Sequence, residues 1–202
     1  MHKVFFFALS IGFTSCFNDT EIKHRPSNME NNALLVSSKT KSMKTCPFYD
    51  FSMPSLDGEN VSFAQFKGKK VIILNVASKC GYTPQYADWE KFYKENKEKV
   101  VVLGFPCNQF MGQEYDANAD IKSFCEKNYG VTFPIFERID VKGSTKAPLY
   151  AWLTDKNKNG WCEQEPTWNF CKYLLNEQGE LVEFFASKIT PDDAAFQAAL
   201  KR

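Results

Sequence analysis

Histidine is almost missing from this chain: of 202 residues only His2 and His24 carry an imidazole, and both precede the globular part. The domain therefore has no histidine for a Cys-His nucleophile pair, a Ser-His-Asp triad or a histidine-bearing zinc site. Cys-x-x-Cys is absent too, although there are seven cysteines, which disfavours a thiol-disulfide oxidoreductase of the dithiol type. Net charge is nearly lacking, with 25 basic and 24 acidic residues giving +1. Nucleic acid and anionic membrane surfaces gain no electrostatic support as main partners. What is present is a core: 44% hydrophobic and 15% aromatic residues suffice for one domain without a disulfide framework. The aromatics read as core and not as a base-stacking surface, because no basic patches accompany them.

Met1-His2-Lys3 and the apolar run Val4 to Phe13 form a positive start and a stretch too short for an ordinary spanning helix. This reads as an export signal. It ends at Phe13-Thr14-Ser15-Cys16, which resembles a loose bacterial lipobox with Cys16 as the lipidated residue. The expected organisation is a signal over 1–16, a polar flexible tether over 17–44 and a domain over 45–202. Such a product would be exported, and either membrane-anchored through Cys16 or secreted.

Within the domain, Asp57-Gly58 marks a hairpin between Phe48–Met53 and Asn60–Phe63. Val71 to Val76 is an apolar run without alternation, the pattern of a strand covered on both faces. A helix from Pro84 to about Asn96, with Thr83 as its N-cap, and a second run at Val100–Phe105 complete a βαβ unit of central, parallel strands. Asn118 is placed as the cap of a helix over 119–128 that stops at Gly130. Phe133-Pro134-Ile135-Phe136 reads as an edge piece, Pro148–Leu153 as a short helix, Trp168–Leu175 and Leu181–Ala186 as a hairpin, and Thr190-Pro191 as the start of a last helix. The order describes an α/β domain of thioredoxin-like architecture: a mixed sheet flanked by helices, with an N-terminal β-hairpin.

Cys80 falls in the loop between the first buried strand and the following helix. A thiolate there is favoured by the positive end of a helix and by unpaired backbone N–H groups, with Lys79 adding a charge next door.

Three blocks then carry a resemblance. Asn75-Val76-Ala77-Ser78-Lys79-Cys80-Gly81-Tyr82-Thr83, Gly104-Phe105-Pro106-Cys107-Asn108-Gln109-Phe110-Met111-Gly112-Gln113-Glu114 and Trp168-Asn169-Phe170 resemble the signature blocks of the glutathione peroxidase family, in its cysteine form. The resemblance implies a thioredoxin fold and reduction of hydrogen peroxide or organic hydroperoxides by a thiolate. Position by position, Cys80 is similar to the peroxidatic cysteine, and Gln113, Trp168 and Asn169 to the polar residues of the catalytic tetrad. Neutral N–H donors suit this chemistry, because they hold an oxyanion without titrating. Adjacent strand residues face opposite ways, so Trp168 and Asn169 should lie at a loop end, before regular pairing begins.

Cys125, in Ser123-Phe124-Cys125-Glu126, resembles the resolving cysteine of thioredoxin-dependent members, and a Cys80–Cys125 disulfide would require local unwinding of its helix. A buried structural thiol is the alternative. Cys107 reads as packing; Cys46, Cys162 and Cys171 read as free thiols, with export permitting a Cys162–Cys171 disulfide. Gln113-Glu114-Tyr115 departs from the Gln-Glu-Pro common in the family, and the short 141–168 stretch resembles members without an oligomerisation insert, so a monomer is expected. No cofactor or metal is expected; the co-substrate is a thioredoxin-like protein or glutathione. The other readings are a glutathione-dependent cycle without Cys125, and a non-enzymatic sensor that passes oxidation to a partner protein.

Overall fold

A computed structural model describes residues 22–24 and 47–202. The export signal, Cys16 and Cys46 lie outside the described residues. Within the stretch read as a tether, Ile22–His24 forms a short strand, β1, of the main sheet, so His24 belongs to the fold and does not precede it as expected. The domain continues with β2 (Ser52–Pro54), β3 (Asn60–Ser62), β4 (Lys70–Val76), α1 (Gln85–Asn96), β5 (Val100–Pro106) and α2 (Asn118–Tyr129). Then come α3 (Pro148–Leu153), α4 (Lys156–Asn159), β6 (Lys172–Leu175), β7 (Leu181–Phe185) and α5 (Ala194–Leu200).

The sheet order is β1-β7-β6-β4-β5, with β4 and β5 parallel and the other pairings antiparallel. β4 is central, as expected, and every residue from Val71 to Val76 is buried. Its run lacks alternation because both faces are apolar. Val71 and Ile73 pack with Phe63, Phe105, Phe136 and Tyr173, while Ile72, Leu74 and Val76 pack with Tyr86, Trp89, Phe170 and Phe196. β5 is parallel to β4 but stands at the end of the sheet and not in its centre. It is nevertheless buried, because Phe133–Phe136 lies along it: Gly104 N–H donates to Pro134 O and Phe136 N–H donates to Gly104 O, both at 2.9 Å. Gly104 permits that approach, since a Cβ there would sit 3.2 Å from the Phe133 ring and 3.3 Å from Ile135. Phe105 and Phe136 stack at 4.7 Å between centroids, a contact worth about 1 kcal/mol beyond its burial.

Three helix starts differ from expectation. Thr83 does not cap α1, because its hydroxyl is engaged inside the preceding turn. Asn118 is the first residue of α2, and Ala117 is the cap. The last helix begins after Asp193, whose carboxylate accepts from Ala195 N–H at 2.9 Å, and not at Thr190-Pro191. Gly130 ends α2 as predicted, in the left-handed conformation at φ +58. The capped turn α4, between Asp155 and Gly160, had no counterpart in the sequence reading.

Candidate active site

Where β4 ends, the chain makes a tight turn over 77–84 before α1. Thr83 organises it: Oγ1 donates to Ala77 O at 2.8 Å and accepts from Cys80 N–H at 2.9 Å. Cys80 is 7% exposed, and Tyr82 N–H donates to its Sγ at 3.4 Å. The strand-to-helix junction thus delivers a backbone donor to the sulfur, in the way the sequence implied.

A second loop is fastened to this turn. Lys79 N–H donates to Gln113 O at 2.9 Å, and Glu114 Oε1 accepts from Ser78 N–H at 3.2 Å and Tyr115 N–H at 2.8 Å. Glu114 is buried, which holds its carboxyl above the usual range. Met111 at φ +57 and Gly112 at φ +65 place consecutive left-handed residues just before Gln113, so this loop is a shaped, strained feature.

The third loop carries Trp168 and Asn169, which lie in a turn ahead of β6, as the strand argument required. Phe170 at φ +63 breaks the pleat there. Asn75, fully buried in β4, clamps this turn. Its Nδ2 donates to Trp168 O at 2.9 Å, its Oδ1 accepts from Cys171 N–H at 3.0 Å, and its carbonyl accepts from Phe170 N–H at 2.6 Å. Asn169 Nδ2 donates to Gln113 Oε1 at 3.1 Å. Asn169 is fully buried, so its amide orients Gln113 and does not face solvent. Trp168 is half-buried, with its ring 5.7 Å from Phe110. Among the described residues, the bond to Cys80 Sγ comes from Tyr82, and the Trp168 indole N–H and Gln113 Nε2 have no protein acceptor. Cys80, Gln113, Trp168 and Asn169 are thus brought to one end of the sheet by interlocked loops. The sequence reading missed Asn75, Glu114 and Thr83 as their supports; a polar residue inside an apolar strand was the available signal for Asn75.

Cys125 lies on α2, 1% exposed, in the same apolar cluster as Cys80, with Tyr86 against it. Burial pushes its thiol up to about 12. Cys80, Cys107, Cys125, Cys162 and Cys171 form no disulfide among the described residues. The permitted Cys162–Cys171 disulfide is therefore not formed: Cys171 Sγ faces Ser187 Oγ at 3.6 Å, while Cys162 Sγ accepts from Gln164 N–H at 3.3 Å. Cys107 is fully buried and pushed up to about 11, in keeping with a packing role.

The glutathione peroxidase family model matches residues 48–154. A glutathione peroxidase of Lactococcus lactis is 46% identical over 147 residues, covering 72% of this chain and 93% of the relative. A glutathione peroxidase-like peroxiredoxin 2 of Saccharomyces cerevisiae is 44% identical over 161 residues, covering 78% and 99%. Among solved structures, that of apo Trgpx aligns with a TM-score of 0.58 at 37% identity, covering 77% of this chain and 95% of that one. This chain belongs to the glutathione peroxidase family and is a peroxidase built on a thioredoxin-like fold.

Proposed function

We propose that Cys80 is the peroxide-reducing thiol. Its thiolate attacks one oxygen of the hydroperoxide, the O–O bond breaks, and the leaving alkoxide or hydroxide takes a proton to become alcohol or water. Sulfenic acid remains on Cys80. The observation that carries this reading is the fastening of the Gln113 loop to the Cys80 turn, with Asn169 holding Gln113 by its oxygen and leaving Nε2 free. Gln113 Nε2 and the Trp168 N–H then serve the departing oxygen as donors that need no reorganisation. Asn169 acts as a positioning residue.

Cys125 condenses with the sulfenic acid: an S–S bond forms and water leaves. Because the thiol is buried on a helix, that step requires α2 to open locally. A thioredoxin-like dithiol then reduces the disulfide by exchange. The burial of Cys125 favours one competing reading, a glutathione cycle in which the sulfenic acid is resolved by external thiols. Peroxide turnover with thioredoxin or glutathione as sole reductant separates them. Cys80→Ser abolishes turnover with both. Cys125→Ser abolishes the thioredoxin-driven rate while one equivalent of peroxide is still consumed; persistence of that rate would sink the resolving role.

The N-terminal residues support a further part of the proposal: export by the 1–16 signal, with Cys16 lipidated and the domain carried as a monomer on a tether. Palmitate labelling should disappear in Cys16→Ala.

A further inference from the structure

Lys172, on β6, is fully buried, and among the described residues it has no carboxylate partner. Its ammonium donates to Gln85 Oε1 at 2.9 Å, Ser187 O at 2.8 Å and Ile189 O at 2.5 Å, which uses all three N–H groups. The contact is braced from α1: Gln85 Nε2 donates to the same Ser187 carbonyl at 2.6 Å, and Trp89 Nε1 donates to Gln85 Oε1 at 3.3 Å. Gln85 is the first residue of α1, directly after the Cys80 turn. Cys171, the neighbour of Lys172, is held by Asn75, which also holds Trp168.

The segments tied together in this way wall one surface cleft of about 420 Å³, lined by Tyr82, Thr167, Trp168, Ala186, Ser187 and Lys188. Tyr82, one of its lining residues, gives its amide to the Cys80 sulfur. Burying an ammonium without an opposite charge is costly, and here neutral oxygens alone compensate it.

We propose that Lys172 is a positioning residue for the Cys80 reaction: from beneath the cleft, its ammonium locks the start of α1 and the 187–189 segment against the Trp168 turn. The role rests on Cys80 being the peroxide-reducing thiol. Burial pulls the ammonium down to about 7. The groups facing it are Gln85 and Trp89 from α1, two carbonyls after β7, and Cys171 from its own strand. Of these only Cys171 titrates, and its thiolate would favour the ammonium. A neutral amine has two donors for three acceptors, so the lock loosens as pH rises through about 7.

The test is rapid-mixing oxidation of Cys80 by hydrogen peroxide between about pH 5.5 and 9 in wild type, Lys172→Met and Lys172→Arg. The variants are compared with wild type at each pH. Lys172→Met leaves buried acceptors without their ammonium donor, so it should melt lower than wild type, and it should react about tenfold to a hundredfold more slowly at acidic pH. That deficit should shrink as pH passes about 7, whereas the advantage of Lys172→Arg over Lys172→Met should persist to the alkaline end, because a guanidinium keeps its proton. A folded Lys172→Met protein that matches wild type throughout, or a deficit independent of pH, overturns the proposal. If that variant does not fold, Gln85→Leu, which removes one acceptor, decides: an unchanged rate overturns it, and a slowed rate with the same pH trend supports it. Iodoacetamide alkylation of Cys80 runs in parallel. A wild type whose alkylation depends on Lys172 but which resists peroxide would sink the peroxidase reading and leave the positioning role standing.

Discussion

Cys80 and Cys125 share one apolar cluster and are both nearly closed to solvent, yet the backbone around them differs in kind. Around Cys80 the chain is an irregular turn, pinned by the Thr83 hydroxyl and by the Gln113 loop, with Tyr82 N–H left over for the sulfur. Around Cys125 it is a regular helix, whose amides are committed to its own carbonyls and leave nothing for the thiol. Burial pushes the Cys125 thiol up to about 12, and the backbone differs as well. In the backbone the difference lies in whether a donor is free to meet the sulfur, which is the contrast expected if Cys80 attacks first and Cys125 waits.

The largest expected effect that sharpens this contrast is in thiol alkylation. With its thiol pushed up to about 12, Cys125 in the closed helix should alkylate at pH 8 on the order of a thousandfold more slowly than an ordinary cysteine. Its rate should climb about tenfold per pH unit towards that value, because the thiolate is the reacting form. Peptide-resolved labelling of the reduced protein measures it. A Cys125 rate that levels off near the pKa of a free cysteine would show that α2 opens readily even when reduced, and the contrast would break.

Asn75→Ala attacks the other side of the comparison. It leaves Trp168 O and Cys171 N–H without their buried partner and frees the turn that presents Trp168 and Asn169. Unmet groups of this kind cost about 1–3 kcal/mol each, and a displaced turn should slow Cys80 oxidation about a hundredfold. Labelling of Cys125 should stay within about twofold of wild type, because no clamp contact reaches α2. Equal effects at both thiols would mean that the two environments are one mechanical unit.

The same contrast explains what the sequence made legible. Cys80 could be placed because its position depends on local signals: an apolar strand, then a helix with Pro84 at its entrance. The resemblance blocks likewise named Gln113, Trp168 and Asn169, and the structure joins their loops. The supports were not legible, because their partners are remote in the chain. Asn75 reaches Trp168 across 93 positions, Gln85 reaches Ser187 across 102, and Lys172 reads in sequence as an ordinary charged strand residue. Local cues also competed. Thr83 and Asn118 are good capping residues, but Thr83 is more strongly engaged inside the Cys80 turn, and α2 takes Asn118 as its first residue with Ala117 at the cap. The left-handed Phe170, which aims the third loop, has no signature in residue type at all.

The smallest effect is the most selective. Gly130 closes α2 at φ +58, and the carbonyls of Cys125 and Glu126 accept the capping N–H groups, so the last turn of the helix begins at Cys125 itself. A Cβ at Gly130 would meet nothing within 4 Å, so Gly130→Ala introduces backbone strain without a clash. That strain should cost about 1 kcal/mol and lower the melting temperature by about 3 °C. If Cys125 is released by opening of this turn, the same 1 kcal/mol makes the open form about fivefold more populated. Disulfide formation after a peroxide pulse should then accelerate by about that factor, while the first oxidation of Cys80 keeps its rate, since its turn shares no bond with the cap. An unchanged rate of disulfide formation in a protein measurably destabilised at Gly130 would place the opening elsewhere, at the Asn118 end of α2, where the helix has no side-chain cap to lose.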